Sequence, residues 1–132
     1  MTETAKESFS RILIVEDSSL VRLYYREALE KAGFEVEQAF NGIEGIEKVL
    51  AHAFDLAIVD VNMPKMDGLS FVRALRRGAT EVASLPVLII TTEADAQDRS
   101  DARAAGANFY LVKPVSGSEL LRHVAALTGR PA

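Results

Sequence analysis

Five side chains in this 132-residue sequence have the types and the spacing to do chemistry together: Glu16, Asp17, Asp60, Thr91 and Lys113. Asp60 is the centre of the group. It ends the apolar run from Leu56 to Val59 and is followed by Val-Asn-Met-Pro-Lys-Met-Asp-Gly, in which Pro64 and Gly68 force a turn. A carboxylate so placed can be a nucleophile, a metal ligand or a helix cap, and taken alone it more often does no more than end a strand. Glu16 and Asp17 close a second apolar run (residues 11–15), Thr91 a third (87–90) and Lys113 a fourth (109–112). Short apolar runs bounded by turn signals suit strands buried on both faces. In a parallel sheet the carboxyl ends of such strands share one edge, where open α/β sheets place their ligands. An acidic pair can simply open a helix, a threonine can cap one, and a lysine can be solvated. Converging at equivalent strand ends, the five favour one site.

The residue types limit what that site can do. Carboxylates held close repel one another unless protons or a divalent cation neutralise them. Oxygen donors without histidine or cysteine point to a hard metal, most simply Mg²⁺ with several waters retained. Such a metal commonly works with phosphate. An aspartate can act as nucleophile and become an aspartyl phosphate, while a lysine and a threonine hydrogen-bond the new phosphoryl oxygens. The chemistry implied is phosphoryl transfer onto Asp60.

The elements that must position these residues are legible in order. Residues 11–15 are a strand. Ser18 or Ser19 caps a helix to about Ala32, with Gly33 beyond its end and Val21, Tyr24, Ala28 and Leu29 as its inner face. Residues 34–38 alternate like a half-exposed edge strand. Asn41 caps a second helix with Ile43, Ile46, Val49 and Leu50 inward. Residues 55–59 form the third strand, and about 68–77 a third helix through Leu69, Val72 and Leu75. Residues 78–84 read as a loop, and 87–90 as the fourth strand. A helix over 94–105 has mostly alanines to pack, so it buries little and could shift at low cost. The fifth strand (109–112) precedes a helix over about 117–128 that packs through Leu120, Leu121, Val124 and Leu127. Strands alternating with helices imply a doubly wound, five-stranded parallel sheet covered on both faces.

The totals exclude several classes. A formal net charge of −4 offers no electrostatic footprint for nucleic acid or an anionic membrane. Cysteine is absent, which removes disulfides and thiolate metal sites. No apolar stretch nears the roughly 20 residues that span a bilayer, and residues 1–10 lack the apolar core of a signal peptide. A cytoplasmic, mostly monomeric protein is expected, with a tail at 1–10, one domain over 11–128, a tail at 129–132 and no attached output domain.

Four motifs, Val-Glu-Asp (15–17), Asp-Val-Asn-Met-Pro-Lys-Met-Asp-Gly (60–68), Thr-Thr-Glu (91–93) and Tyr-Leu-Val-Lys-Pro (110–114), together resemble those of response-regulator receiver domains of two-component signalling, particularly the single-domain chemotaxis class. The resemblance spans about residues 11–128. It implies a flavodoxin-like (βα)5 fold with strand order 2-1-3-4-5. Position by position, Asp60 resembles the phosphoacceptor. Asp17, Asp60 and the backbone carbonyl of Asn62 resemble the metal ligands, with Glu16 acting through a metal-bound water. Lys113 resembles the lysine that pairs with the phosphoryl group, Thr91 the hydroxyl drawn toward it, and Tyr110 the aromatic switch. Asn62, Glu93 and Thr92 match positions that tune dephosphorylation.

The implied function is a signalling module rather than a metabolic enzyme, catalysing only its own phosphorylation and dephosphorylation. Its donor would be a histidine kinase or a histidine phosphotransfer domain. Its output would pass through a protein target, the flagellar motor switch among the candidates, by the face made of residues 94–105, 109–112 and 117–128. Phosphate-sink or phosphorelay duty fits the same residues. A Mg²⁺ phosphatase of the haloacid-dehalogenase type is the rival from another class, but it normally has an aspartate two residues after the nucleophile, where this chain has Asn62. A nucleotide or flavin binder would want a Gly-rich loop after the first strand, which is lacking. Glu16 stands where the chemotaxis archetype has aspartate, Thr92 where it has alanine, and Val115 where phenylalanine is frequent. His52 and His123 read as isolated helix residues, Lys65 and Met66 as loop, and Arg22, Arg26 and Lys31 as a solvated helix face.

Overall fold

The computed structural model describes residues 10–129; the expected tails therefore lie, apart from Ser10 and Gly129, outside the described residues. Five strands, β1 (Arg11–Val15), β2 (Glu35–Ala39), β3 (Leu56–Val59), β4 (Val87–Thr91) and β5 (Phe109–Val112), pair in parallel in the order β2-β1-β3-β4-β5. Five helices join them: α1 (Ser19–Lys31), α2 (Gly42–Ala51), α3 (Gly68–Arg76), α4 (Ala96–Ala105) and α5 (Gly117–Thr128). This is the expected doubly wound architecture.

Side chains alternate across a strand, so the three central strands feed two cores. Leu13, Val15, Ala57, Val59, Val87 and Ile89 pack with Val49, Phe71, Val72, Leu75, Ala102 and Ala105 from α2, α3 and α4. Ile12, Ile14, Leu56, Ile58, Leu88 and Ile90 pack on the other face with Tyr25, Leu29, Leu120 and Val124 from α1 and α5. Every residue of β1 after Arg11, and all of β3 and β4, is buried. Strands covered on both faces have no reason to alternate, which is why they read as unbroken apolar runs.

The inner faces of two helices differ from expectation. In α1 the buried positions are Arg22, Tyr25 and Leu29, while Tyr24 is half exposed. Tyr24 instead accepts a hydrogen bond from the Gly117 N–H at 2.9 Å through its hydroxyl, tying α1 to the start of α5. In α2 the buried positions are Gly42, Gly45 and Val49, and both Ile43 and Leu50 are exposed. A β-carbon on Gly45 would lie 2.8 Å from Cε1 of Phe71. The closest-packed side of α2 is thus a side without side chains, which an apolar-stripe reading cannot register.

Smaller corrections follow. β2 is displaced one residue, to Glu35–Ala39, and β3 begins at Leu56. The segment before β4 contains a single helical turn, Thr80–Ala83, closed by the Ser84 hydroxyl donating to the Thr80 carbonyl at 2.9 Å. α4 begins at Ala96, with Asp98 Oδ2 accepting from the Asp95 N–H. Thr91 is the last residue of β4 rather than the first beyond it.

Candidate functional site

The carboxyl ends of β1, β3, β4 and β5 meet at one edge of the sheet, and backbone bonds set their relative heights. The Glu16 N–H donates to the Ala39 carbonyl, the Asp60 N–H to the Val15 carbonyl, and the Lys113 N–H to the Thr91 carbonyl, at 3.0, 3.0 and 2.8 Å. Glu16, Asp60 and Lys113 are therefore each the first residue past a paired strand, Thr91 is the last within one, and Asp17 follows Glu16. Gly68 completes the frame from behind, since its N–H donates to the Val61 carbonyl at 2.9 Å. A β-carbon there would collide with the carbonyl oxygen of Asp60.

Glu16, Asp17 and Asp60 bring one carboxylate oxygen each within 4.8 Å of one another. Glu16 is 2 % exposed and Asp60 is 7 %, whereas Asp17 opens to solvent. Lys113 reaches into the same cluster, with Nζ at 2.9 Å from Glu16 Oε1 and 3.7 Å from Asp60 Oδ2. The second Glu16 oxygen accepts from the Ser18 N–H at 3.0 Å. Thr91 is fully buried beside them, and its hydroxyl accepts from the Glu93 N–H at 3.4 Å.

Burial is the main cause that raises the Asp60 pKa above the ordinary carboxylate range, with the Asp17 charge adding to it and Lys113 opposing it. The Glu16 pKa is raised as well, again chiefly by burial; the hydrogen bonds from Lys113 and Ser18 pull it back. Three carboxylates and one ammonium leave an excess of negative charge. The donors are all oxygen, and Asp17 keeps one side open to water. Such a set fits a hard, partly hydrated divalent cation, and this is the one carboxylate trio among the described residues that could hold a metal ion.

The other expected residues form a second layer. The Asn62 side-chain amide donates to Glu93 Oε2 at 2.7 Å, bridging the loops after β3 and β4. The Tyr110 hydroxyl donates to the Glu93 carbonyl at 2.7 Å, and the Arg99 guanidinium lies 4.9 Å from the Tyr110 ring centroid. Glu93 thus touches Asn62 through its side chain and Tyr110 through its backbone. Thr92 is exposed next to it. His52 packs edge-on against Phe54, and His123 Nδ1 lies 2.9 Å from the Glu119 carbonyl oxygen. Neither histidine joins the acidic cluster.

Arg22, expected on a solvated face, is instead buried directly behind the acidic pair. Its position in the first turn of the helix that follows two adjacent acids was the available signal. A residue three before Tyr25 and seven before Leu29 shares their inward stripe.

Residues 12–125 match the family described as the response regulator receiver domain. Among curated proteins, the response regulator MprA of Mycobacterium ulcerans is 38% identical over 120 residues, covering 91% of this chain and 50% of that protein. The sensor protein EvgS of Escherichia coli is 36% identical over 116 residues, covering 88% of this chain and 9% of that one. The chain therefore spans half or less of these relatives' length. Among solved structures, the chemotaxis protein CheY4 of Vibrio cholerae superposes with a TM-score of 0.86 at 36% identity, covering 91% of this chain and 99% of that chain. A putative response regulator from Chloroflexus aurantiacus gives a TM-score of 0.85 at 31% identity, with 92% and 98% covered.

Proposed function

The chain belongs to the response-regulator receiver domain family of two-component systems, and on that premise we propose that Asp60 accepts a phosphoryl group from a phosphohistidine. The donor is a histidine kinase or a histidine phosphotransfer domain. An Asp60 carboxylate oxygen attacks phosphorus, the P–O bond forms as the P–N bond breaks, and the leaving imidazole takes up a proton. Lys113, 3.7 Å from Asp60, supplies a positive charge to the incoming phosphoryl oxygens. Thr91 offers its hydroxyl from the neighbouring strand. Asp17, Asp60 and the backbone carbonyl of Asn62 would hold Mg²⁺, with Glu16 acting through a water. When bound, Mg²⁺ contributes positive charge that offsets the crowded carboxylates and the phosphoryl oxygens.

The observation that carries this reading is the buried Asp60 placed in one pocket with Glu16, Asp17 and Lys113. Access for a donor is supported by the surface beside that pocket. Leu20 is 77% exposed and Tyr24 50%, and they share a groove with Lys113 and Pro114. A helix presenting a phosphohistidine could bury apolar surface there while its imidazole approaches Asp60.

Output runs through the α4-β5-α5 face, where a partner protein binds after Tyr110 and α4 respond to the phosphoryl group. Chemotaxis is the favoured pathway, supported by likeness to a chemotaxis protein over nearly its whole length. A phosphate sink or a relay intermediate uses the same site. The domain works as a cytoplasmic monomer without nucleic-acid contact; among the described residues no helix is long and apolar enough to cross a membrane. Intact-mass spectrometry after incubation with acetyl phosphate and Mg²⁺ tests the central step. One phosphoryl adduct, absent from Asp60→Asn, is expected; no adduct, or one mapped elsewhere, would overturn the reading.

A further inference from the structure

Arg22 is 9% exposed, and a buried cation is costly unless its donors are satisfied. Its Nη1 donates to the carbonyl of Glu16 at 2.8 Å and to that of Asp17 at 3.2 Å. Its Nε donates to Gln38 Oε1 at 3.3 Å, and its guanidinium lies 4.3 Å from the centroid of the Phe40 ring. Among the described residues no carboxylate forms an ion pair with it. A leucine or methionine would fill this position in the Tyr25–Leu29 stripe without the desolvation cost. What the guanidinium adds is a hold on two successive carbonyls.

Those carbonyls belong to the acidic pair. The loop from β1 to α1 is only residues 16–18, and three of its other polar backbone groups are anchored elsewhere. The Glu16 N–H donates to the Ala39 carbonyl, the Ser18 N–H to Glu16 Oε2, and the Ser18 carbonyl accepts from the Arg22 N–H. Asp17 is different: among the described residues its side chain makes no hydrogen bond, so its aim depends on its backbone. We propose that Arg22 is a positioning residue for the acidic pocket, fixing the peptide planes of Glu16 and Asp17 from behind so that both carboxylates face Asp60. The inference rests on the metal-assisted reading above and deepens it. One nitrogen, Nη1, makes both bonds, and the guanidinium plane is fixed by Nε on Gln38 Oε1 and by the Phe40 ring; a lysine ammonium offers charge and donors without that fixed plane.

The test uses the full chain as wild type, Arg22→Met, Arg22→Lys and the control Arg26→Met, an exposed position on the same helix. Binding of Mn²⁺, a spectroscopic probe for the divalent site, is read by electron paramagnetic resonance. Amide exchange is read in metal-free protein. Both Arg22 variants should bind Mn²⁺ about tenfold or more weakly, as loss of an outer-sphere support does at other metal sites. Exchange should quicken at residues 16–19 but not at Leu29, and Arg26→Met should match wild type. Arg22→Lys keeps the charge and the aliphatic stem, and so covers a failure of Arg22→Met to fold. Wild-type affinity in a folded Arg22→Met, or its restoration by Arg22→Lys, would overturn the proposal. If the wild type bound no Mn²⁺, the metal reading would fall, and unchanged exchange at 16–19 in the variants would separately overturn the positioning role.

Discussion

Replacing Asp60 by asparagine should abolish phosphoryl acceptance and yet stabilise the metal-free fold. The carboxylates of Glu16 and Asp17 lie within 4.8 Å of Asp60, and the Lys113 ammonium lies 3.7 Å from it. At an effective dielectric near 20, like charges 4.8 Å apart repel by roughly 3.5 kcal/mol and opposite charges 3.7 Å apart attract by roughly 4.5 kcal/mol. Asp60 has two repelling neighbours and one attracting, so neutralising it relieves more than it forfeits. Asp17 is exposed and its share is screened, which leaves a net gain of about 1 kcal/mol. Burial, the main cause of the raised Asp60 pKa, acts in the same direction, with the Asp17 charge adding to it and Lys113 opposing it. A carboxylate whose folded pKa lies above its unfolded value adds stability when protonated and loses it as pH rises through the folded pKa. The penalty in the wild type is therefore complete near neutral pH and disappears as pH falls toward the ordinary carboxylate range. Urea unfolding in EDTA should show Asp60→Asn more stable near pH 7.5, with the difference closing on acidification. Mg²⁺ should stabilise the wild type more than the variant, because binding only the folded state shifts the equilibrium by mass action. A metal-free variant distinctly less stable than wild type at neutral pH would refute the charge-crowding account and make Asp60 a structural hydrogen-bond hub.

Other outcomes test neighbouring parts of the site. Gly68→Ala would press a methyl group against the Asp60 carbonyl, and should cost about 1–3 kcal/mol in urea unfolding as well as slow phosphorylation by acetyl phosphate; wild-type stability and rate would refute the close-approach argument. Beryllofluoride with Mg²⁺ should alter amide exchange across Ala96–Ala105 and Phe109–Val112, and changes confined to residues 16–20 and 60–68 would break the proposed coupling between Asp60 and Tyr110. The phosphoaspartate should be short-lived in Mg²⁺ buffer, with Thr92→Ala shortening it further. A phosphoryl group lasting hours would show that Asn62 and Glu93 do not admit water as their positions suggest.

The sheet and the acidic cluster were legible for one physical reason. Strands buried on both faces leave unbroken apolar runs, and parallel strands present their carboxyl ends together. The residues closing the runs at 15, 59, 90 and 112 consequently converge, and the structure brings Glu16, Asp17, Asp60, Thr91 and Lys113 to one edge. The helix faces were less legible because the relevant packing does not use large apolar side chains. Gly45 faces inward so that Phe71 can approach, and Arg22 faces inward to reach two carbonyls. Hydropathy patterns score a glycine as neutral and an arginine as solvent-facing. The double contact of Glu93 was hidden too, since one half of it is a backbone carbonyl and carries no sequence signature.

The same packing bears on where the fold can yield. α4 commits only Ala102 and Ala105 to the core, both near its carboxyl end. That end is also clasped by Arg76 of α3, which donates to the Gly106 carbonyl through Nε and Nη2 at 3.0 and 2.7 Å. Arg76 continues to the carbonyls of Ala83 and Leu85 and to Asn108 Oδ1, which itself accepts from the Val87 N–H. Burial pushes the Arg76 pKa down, yet its several carbonyl partners leave a cation well satisfied there. At the amino end, among the described residues, α4 is held by its own Asp95–Asp98 and Gln97–Asp101 contacts and by the Arg99 guanidinium over the Tyr110 ring, none of which buries an apolar side chain in the core. A helix anchored at one end and lightly held at the other pivots more cheaply than it slides. The light end is the one adjoining Glu93, whose carbonyl holds Tyr110 and whose side chain holds Asn62, two residues from Asp60. On the function proposed above, a change at the acidic pocket would meet least resistance along α4.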